Sequence, residues 1–161
     1  MAKLLYIEAS PRKRRSHSIA VARAFLEAYR KAHPADEVET LDVWETFLPE
    51  FNGAAIDAKY AVMHQETQSE EQTAAWREIN GIWNRFADAD KYLFSLPMWN
   101  FGVPYRLKHF IDVLTQPGLA FTVDAQGYHG LLTGRPAALI YASGGSYPAG
   151  TPGAAWDFKR P

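Results

Sequence analysis

Apolar residues follow two rhythms along this chain. Four short runs are nearly unbroken, at Lys3 to Ala9, Val38 to Val43, Lys91 to Ser95 and Ala137 to Tyr141. Runs of this length and make-up suit strands buried on both faces, as in a parallel sheet. Between them the spacing changes to three and four. Ile19, Ala22, Phe25, Leu26 and Tyr29 predict a helix beginning at Ile19, which His33-Pro34 ends. Ala54 to Gln65 reads as a helix with a thin stripe of Ile56, Tyr60 and Met63. Ser69 opens a stronger one carrying Trp76, Ile79, Trp83 and Phe86, and Leu107, Phe110, Ile111 and Leu114 mark a fourth that starts near Pro104. Trp44 to Pro49 reads as a loop, Gln116 to Gly134 as a long glycine-containing connection, and Pro148 to Pro161 as a tail with no clear element.

The order βα, β, α, α, βα, β predicts an α/β fold. Its sheet is parallel and doubly wound, with right-handed crossovers and helices on both faces in three layers. Such a sheet is expected to continue with another helix and a fifth strand. The expectation is therefore a single domain over residues 1–161, incomplete at its C-terminal side.

Composition narrows the classes. The 161 residues fit one domain with one core. A formal net charge of −1 speaks against a nucleic-acid binder, which is usually basic, and against a strongly acidic electron-shuttling surface. The chain has no cysteine, which excludes disulfides, thiolate catalysis and Cys-ligated zinc. The five histidines show no ligand spacing, so no metal site is expected. The first strand follows the amino terminus directly, without a signal peptide or a membrane-length apolar run, which predicts a cytoplasmic protein.

Candidate chemistry gathers in three loops after the first, third and fourth strands. Leu96-Pro97-Met98-Trp99-Asn100-Phe101-Gly102-Val103-Pro104 is a strand-to-helix turn that displays Met, Trp and Phe together. A flat aromatic ligand would use such a surface, and ligands of open parallel sheets bind at the carboxyl ends of strands. Ser10 to Ser18 precedes a helix, where backbone N–H groups and the helix dipole make an anion site. Ser16 and Ser18 add hydroxyls and His17 a ring nitrogen, and Arg12 to Arg15 add positive field. One of those serines also suits a helix N-cap. In Ser143-Gly144-Gly145-Ser146-Tyr147 the paired glycines allow close approach of backbone to a flat ligand. No G-x-G-x-x-G, G-x-x-x-x-G-K-[ST] or G-x-S-x-G occurs. The set suits a phosphate-bearing aromatic cofactor that carries the hard chemistry itself.

These residues give the chain a family likeness. Pro97-Met98-Trp99-Asn100-Phe101, followed by Pro104, Leu107-Lys108 and Asp112, resembles the signature of the FMN-dependent NADH-azoreductases. These are NAD(P)H:quinone oxidoreductases of the flavodoxin-like fold. Ser10-Pro11-Arg12 with Ser16 and Ser18, and Gly130-Leu131-Leu132 with Gly134, are the second and third matches, and the likeness runs from Lys3 to about Gly150. The resemblance implies that Ser10, Ser16, His17 and Ser18 hold the FMN phosphate. Met98, Trp99, Asn100 and Phe101 would line the isoalloxazine, and Ser143, Gly144, Gly145 and Ser146 would approach its pyrimidine side. Asn100 and Tyr147 are the two side chains singled out for a part in catalysis. It further implies ping-pong transfer of two electrons from NADH or NADPH through FMN to a quinone or azo compound. The implied state is a homodimer with the pocket at the subunit interface and Gln116 to Tyr128 in the pocket wall. Trp99, Gln116, Ala120, Val123 and Ser143 depart from residues common in the family, where tyrosine, arginine, threonine, an aromatic and arginine are frequent. The alternative is a flavodoxin-type electron carrier without turnover of its own.

Overall fold

The computed structural model describes residues 1–148 and 150–156. Residue 149 and residues 157–161, part of the Pro148–Pro161 tail, lie outside the described residues. Strands β1 (Lys3–Glu8), β2 (Glu37–Asp42), β3 (Lys91–Pro97) and β6 (Ala137–Ala142) form one parallel sheet in the order β2-β1-β3-β6. Helices α1 (His17–Ala32), α2 (Gly53–His64), α3 (Glu70–Ala87) and α4 (Tyr105–Leu114) fill the crossovers. A separate antiparallel ribbon of β4 (Phe121–Asp124) and β5 (Gly127–Gly130) lies between α4 and β6.

Alternation along β1 divides the core. Leu4 and Tyr6 face α1 and pack with Ala22, Leu26 and Leu93, while Leu5 and Ile7 face the opposite layer with Trp83, Leu107 and Phe110. That two-sided burial is why the strand reads as a continuous apolar run rather than an alternating one. Parallel strands running side by side bring the ends of β1, β3 and β6 to one edge, with the loops that follow them.

Several elements differ from the sequence reading. α1 starts at His17, two residues before the expected Ile19, because Ser16 caps it by accepting from the Ile19 N–H at 3.4 Å. β3 runs two residues further than Ser95, since Leu96 and Pro97 pair with Tyr141 and Ala142 of the neighbouring strand. The stripe expected to bury α2 faces outward: Ile56, Tyr60 and Met63 are 38%, 49% and 48% exposed, and Ala55, Ala58 and Ala61 are buried instead. Small side chains let α2 lie close on α3, where Ala55 and Ala58 meet Trp76 and Ile79. The segment read as an unstructured connection forms the β4–β5 ribbon, closed by a turn whose Asp124 carboxylate accepts from the Gln126 N–H at 2.8 Å. A short 3₁₀ turn over Pro152–Trp156 sits in the segment read as featureless tail.

α3 is fastened at its start by a capping box. The Ser69 Oγ accepts from the Gln72 N–H at 3.2 Å, and the Gln72 side chain accepts from the Ser69 N–H at 2.8 Å. Replacing Ser69 with Ala is expected to cost about 1 kcal/mol of stability, read from the urea midpoint.

Candidate functional site

β1 delivers the first loop. Its backbone passes beside β3, with the Ala9 N–H donating to the Ser95 carbonyl at 2.9 Å, and then reaches Ser10, which is fully buried. A single 3₁₀ turn over Lys13–Arg15 brings the chain round to the α1 cap at Ser16. The Ser16 and Ser18 hydroxyls lie 3.1 Å apart.

The second loop is tighter than the composition of Leu96 to Pro104 suggests. The Met98 N–H donates to the Ala142 carbonyl at 2.7 Å, which holds the two loops together. Trp99 and Gly102 then exchange hydrogen bonds at 3.1 and 2.8 Å around Asn100 and Phe101, whose φ angles are +48° and +62°. Positive φ at both central residues defines a type I′ turn. Asparagine suits that backbone; an aromatic residue there is uncommon and stores strain, which is characteristic of binding sites.

In the third loop the Ser143 hydroxyl donates to the Gly145 carbonyl at 2.7 Å. A Cβ at Gly145 would stand 2.9 Å from the Tyr147 phenolic oxygen, so a larger residue there would require the Tyr147 ring to shift. Tyr147 in turn meets Phe101 edge-on, with centroids 5.8 Å apart, so the second and third loops touch at their tips.

The three loops enclose a cleft of about 330 Å³ lined by Ser10, Arg12, Ser16, His17, Pro97, Met98, Trp99, Ala142, Ser143 and Gly144. Ser10, Ser16, His17, Met98, Trp99, Ser143 and Gly144 are thus brought together as the sequence suggested. Six others are not part of that lining. Ser18 is turned under the loop and is 1% exposed. Asn100 borders an adjoining groove of about 690 Å³ together with Trp99, Phe51 and Tyr105. Phe101, Gly145 and Ser146 sit at the loop tips, with Tyr147 among them. Of the segment Gln116 to Tyr128, Gln116 is buried, with its amide bonded to the Asp112 carbonyl, and Val123 and Tyr128 are exposed on the ribbon.

Trp99 is held from behind by residues that sequence reading missed. Its ring stands 5.7 Å from Trp44 and 6.3 Å from Tyr105, and Trp44 and Tyr105 meet edge-on at 5.2 Å. The Trp44 loop is pinned to α4 because Arg106 donates to the Val43 and Thr46 carbonyls at 2.8 and 2.9 Å and His109 bonds Pro49 at 2.8 Å. No spacing signal links Trp44 to Trp99 along the chain; only the juxtaposition of β2 and β3 loops across β1 does.

Beneath the cleft lies a polar chain. The Tyr6 hydroxyl meets the Ser95 hydroxyl at 2.7 Å and the Glu8 carboxylate at 3.5 Å. Burial pushes the Tyr6 phenol up to about 12, so it stays protonated. Burial, and then the Asp42 carboxylate nearby, push Glu8 up as well, and Lys13 opposes this.

The cleft has the features of a site for an anionic aromatic ligand. The Ser10 hydroxyl is buried and has no partner among the described residues, an unmet donor at the wall. Arg12 supplies charge, the start of α1 its dipole and His17 a ring nitrogen for an anion. Met98 and Trp99 supply apolar wall, and a Cβ at Gly144 would find open space, so backbone faces the cleft there.

Comparison with known proteins agrees. A family model described as "flavodoxin-like fold" matches residues 2–160. The chain is 52% identical over 160 residues to an FMN-dependent NADH:quinone oxidoreductase of Nitratidesulfovibrio vulgaris strain DP4, covering 99% of this chain and 77% of that one. It is 51% identical to one from Desulfotalea psychrophila, covering 99% and 76%. Among solved structures, an azoreductase from Bacillus anthracis superposes with a TM-score of 0.88 at 32% identity, covering 98% of this chain and 76% of that one. An FMN-dependent NADH-azoreductase from the same species, solved in complex with FMN, gives 0.87 at 27% identity and the same coverage.

Proposed function

The chain belongs to the flavodoxin-like fold family, and on that premise we propose that it is an FMN-dependent NADH:quinone oxidoreductase that also reduces azo compounds. The observation that carries the reading is the cleft itself, whose lining joins a buried hydroxyl without a partner, an arginine, a histidine and a helix start to the apolar side chains of Met98 and Trp99. Ser10, Arg12, Ser16 and His17 hold the phosphate of FMN. Met98, Trp99, Asn100 and Phe101 flank its ring system, Ser143, Gly144, Gly145 and Ser146 its pyrimidine side, and Tyr147 closes the rim.

FMN held by these residues would supply two-electron chemistry between the reduced nicotinamide and the acceptor, in a ping-pong order. The protein's part is to bind, orient and polarise. Backbone N–H groups of the third loop would stabilise negative charge on the pyrimidine side with little reorganisation, because the Met98 N–H ties the second loop to Ala142 at the start of the third. Trp99, braced by Trp44 and Tyr105, fixes the width available to the acceptor.

The working unit is a homodimer in the cytoplasm, with the ribbon segment Gln116 to Tyr128 forming part of the pocket wall. Support comes from the exposed Val123 and Tyr128 of the ribbon and the exposed Ile56, Tyr60 and Met63 of α2, apolar surface of the kind a subunit contact covers. Among the described residues no helix is long and apolar enough to cross a membrane.

The test is steady-state turnover of the FMN-loaded protein. A yellow protein that oxidises NADH in proportion to added menadione, and sediments as a dimer, is the expected result. A yellow protein without turnover overturns the enzyme reading and leaves an electron carrier; a protein that takes up no FMN overturns both.

A further inference from the structure

Lys13 stands in the middle of the basic run Arg12 to Arg15, yet its side chain goes the other way. Its ammonium bonds the Asp42 carboxylate at the end of β2, and lies 3.5 Å from Glu8 at the end of β1 and 3.9 Å from Glu45. With three carboxylates around it, the charge is already satisfied and is not offered to the cleft. Arg12, its neighbour, lines the cleft instead.

The backbone of Lys13 is equally particular. Its φ is +48°, a left-handed conformation that a lysine rarely adopts. In that conformation its N–H points to the Ser10 carbonyl at 3.5 Å, and its own carbonyl accepts from the Ser16 N–H at 3.0 Å. One residue therefore links the serine whose buried hydroxyl lacks a partner to the serine that caps α1. An unfavourable backbone conformation persists only where its surroundings enforce it, and here the enforcing contact is the ammonium held between two strand ends.

We infer that Lys13 is the positioning residue for the anion end of the cleft, holding the Ser10–Ser16 loop in its binding shape by fastening it to Asp42 and Glu8. The inference rests on the reading of that end as the FMN phosphate site. It separates two roles inside one basic run: Arg12 meets the ligand, and Lys13 never touches it.

The test compares two flavins that differ only in the phosphate. The full chain, Lys13→Met and Asp42→Asn are each equilibrated by dialysis against FMN and against riboflavin, and melting temperatures are recorded without flavin. Each variant is expected to lose about tenfold in FMN affinity, the scale set by one charge-assisted tether, while riboflavin affinity changes less than about twofold. The double variant is expected to be no worse than either single one, since one interaction is lost in all three. Lys13→Gly, which accepts φ +48° without strain, is expected to lose the preference as well, because the tether is still missing. A Lys13→Met protein that keeps the full FMN preference, or that loses both flavins equally, overturns the role of Lys13. Asp42→Asn decides the matter in the same way if the lysine variants do not fold. A wild-type chain that holds riboflavin as tightly as FMN overturns the phosphate assignment itself.

Discussion

Replacing Asn100 with proline is expected to lower FMN affinity at least about 100-fold and to abolish quinone turnover with it. The ring fixes φ near −65°, whereas Asn100 sits at +48° as the first central residue of the Trp99–Gly102 turn. The chain there has no room to compromise. Trp99 and Gly102 are joined by hydrogen bonds in both directions, and Met98, one residue before, is tied to Ala142 of β6. A misfit of about 3 kcal/mol, the usual penalty for a proline in an incompatible backbone, corresponds to about two powers of ten in a dissociation constant. The loss falls on ligand binding because the turn presents Trp99 to the cleft and sets Phe101 against Tyr147. Asn100→Gly separates backbone from side chain. Glycine adopts positive φ freely, so the turn survives and FMN affinity is expected to stay within a few-fold of the parent. Equal affinities for the parent and the proline variant, in fluorescence-quenching titrations, would show that the turn does not face the flavin.

How much of this was legible beforehand depended on what kind of signal each residue leaves. β1 announced itself because both of its faces are buried, and α3 because Trp76, Ile79 and Trp83 recur at helical spacing over a capped start. The parallel order followed from alternation of the two rhythms. α2 was found, but its orientation was misread. Hydrophobicity argues for burying Ile56, Tyr60 and Met63, while close helix packing selects the alanines at 55, 58 and 61, and the second consideration won. An exposed apolar stripe of this kind has the same sequence pattern as a buried one, so a single sequence does not separate the two.

The loops show a sharper limit. Composition identified all three, and seven of the predicted residues do line one cleft. Composition did not reveal that Leu96 and Pro97 belong to β3, which leaves Met98 and the Trp99–Gly102 turn to carry the apolar display. Nor did it reveal that Lys13 turns away from its basic neighbours, since a run of like charges reads the same whichever way each side chain points. Trp44 was invisible for a third reason: it reaches Trp99 only through sheet order, and sheet order is a long-range fact. The ribbon of β4 and β5 was hidden because glycines at 127 and 130 and a polar turn read as loop, although Phe121, Val123 and Tyr128 alternate with polar neighbours.

On the proposed phosphate site, Ser16 would combine a local structural role and a ligand role in one atom, and a single substitution would pull them apart. Its Oγ accepts from the Ile19 N–H at 3.4 Å as the α1 cap, lies 3.1 Å from Ser18 Oγ, and lines the cleft. Aspartate caps a helix as well as serine does, and its charge gains a further 0.3–1 kcal/mol or so from the helix dipole. Ser16→Asp keeps the cap, and the dipole gain offsets part of the cost of placing a carboxylate in a poorly solvated position, so the flavin-free protein is expected to stay folded and melt within a few degrees of the parent. FMN binding goes the opposite way. The phosphate loses a hydroxyl donor and meets a carboxylate in a position only 6% exposed, where screening by water is weak. Two like charges about 4 Å apart repel by about 4 kcal/mol at the effective dielectric of a protein surface, so a loss of FMN affinity of at least about 100-fold is expected. Riboflavin, which has no phosphate, is expected to bind within a few-fold of the parent value. If the helix alone needed Ser16, both flavins would bind the variant normally; if the loop had merely collapsed, both would be lost and the melting temperature would fall. Only an anion seated on the α1 start produces loss of FMN and retention of riboflavin together in a protein that still melts cooperatively near the parent temperature.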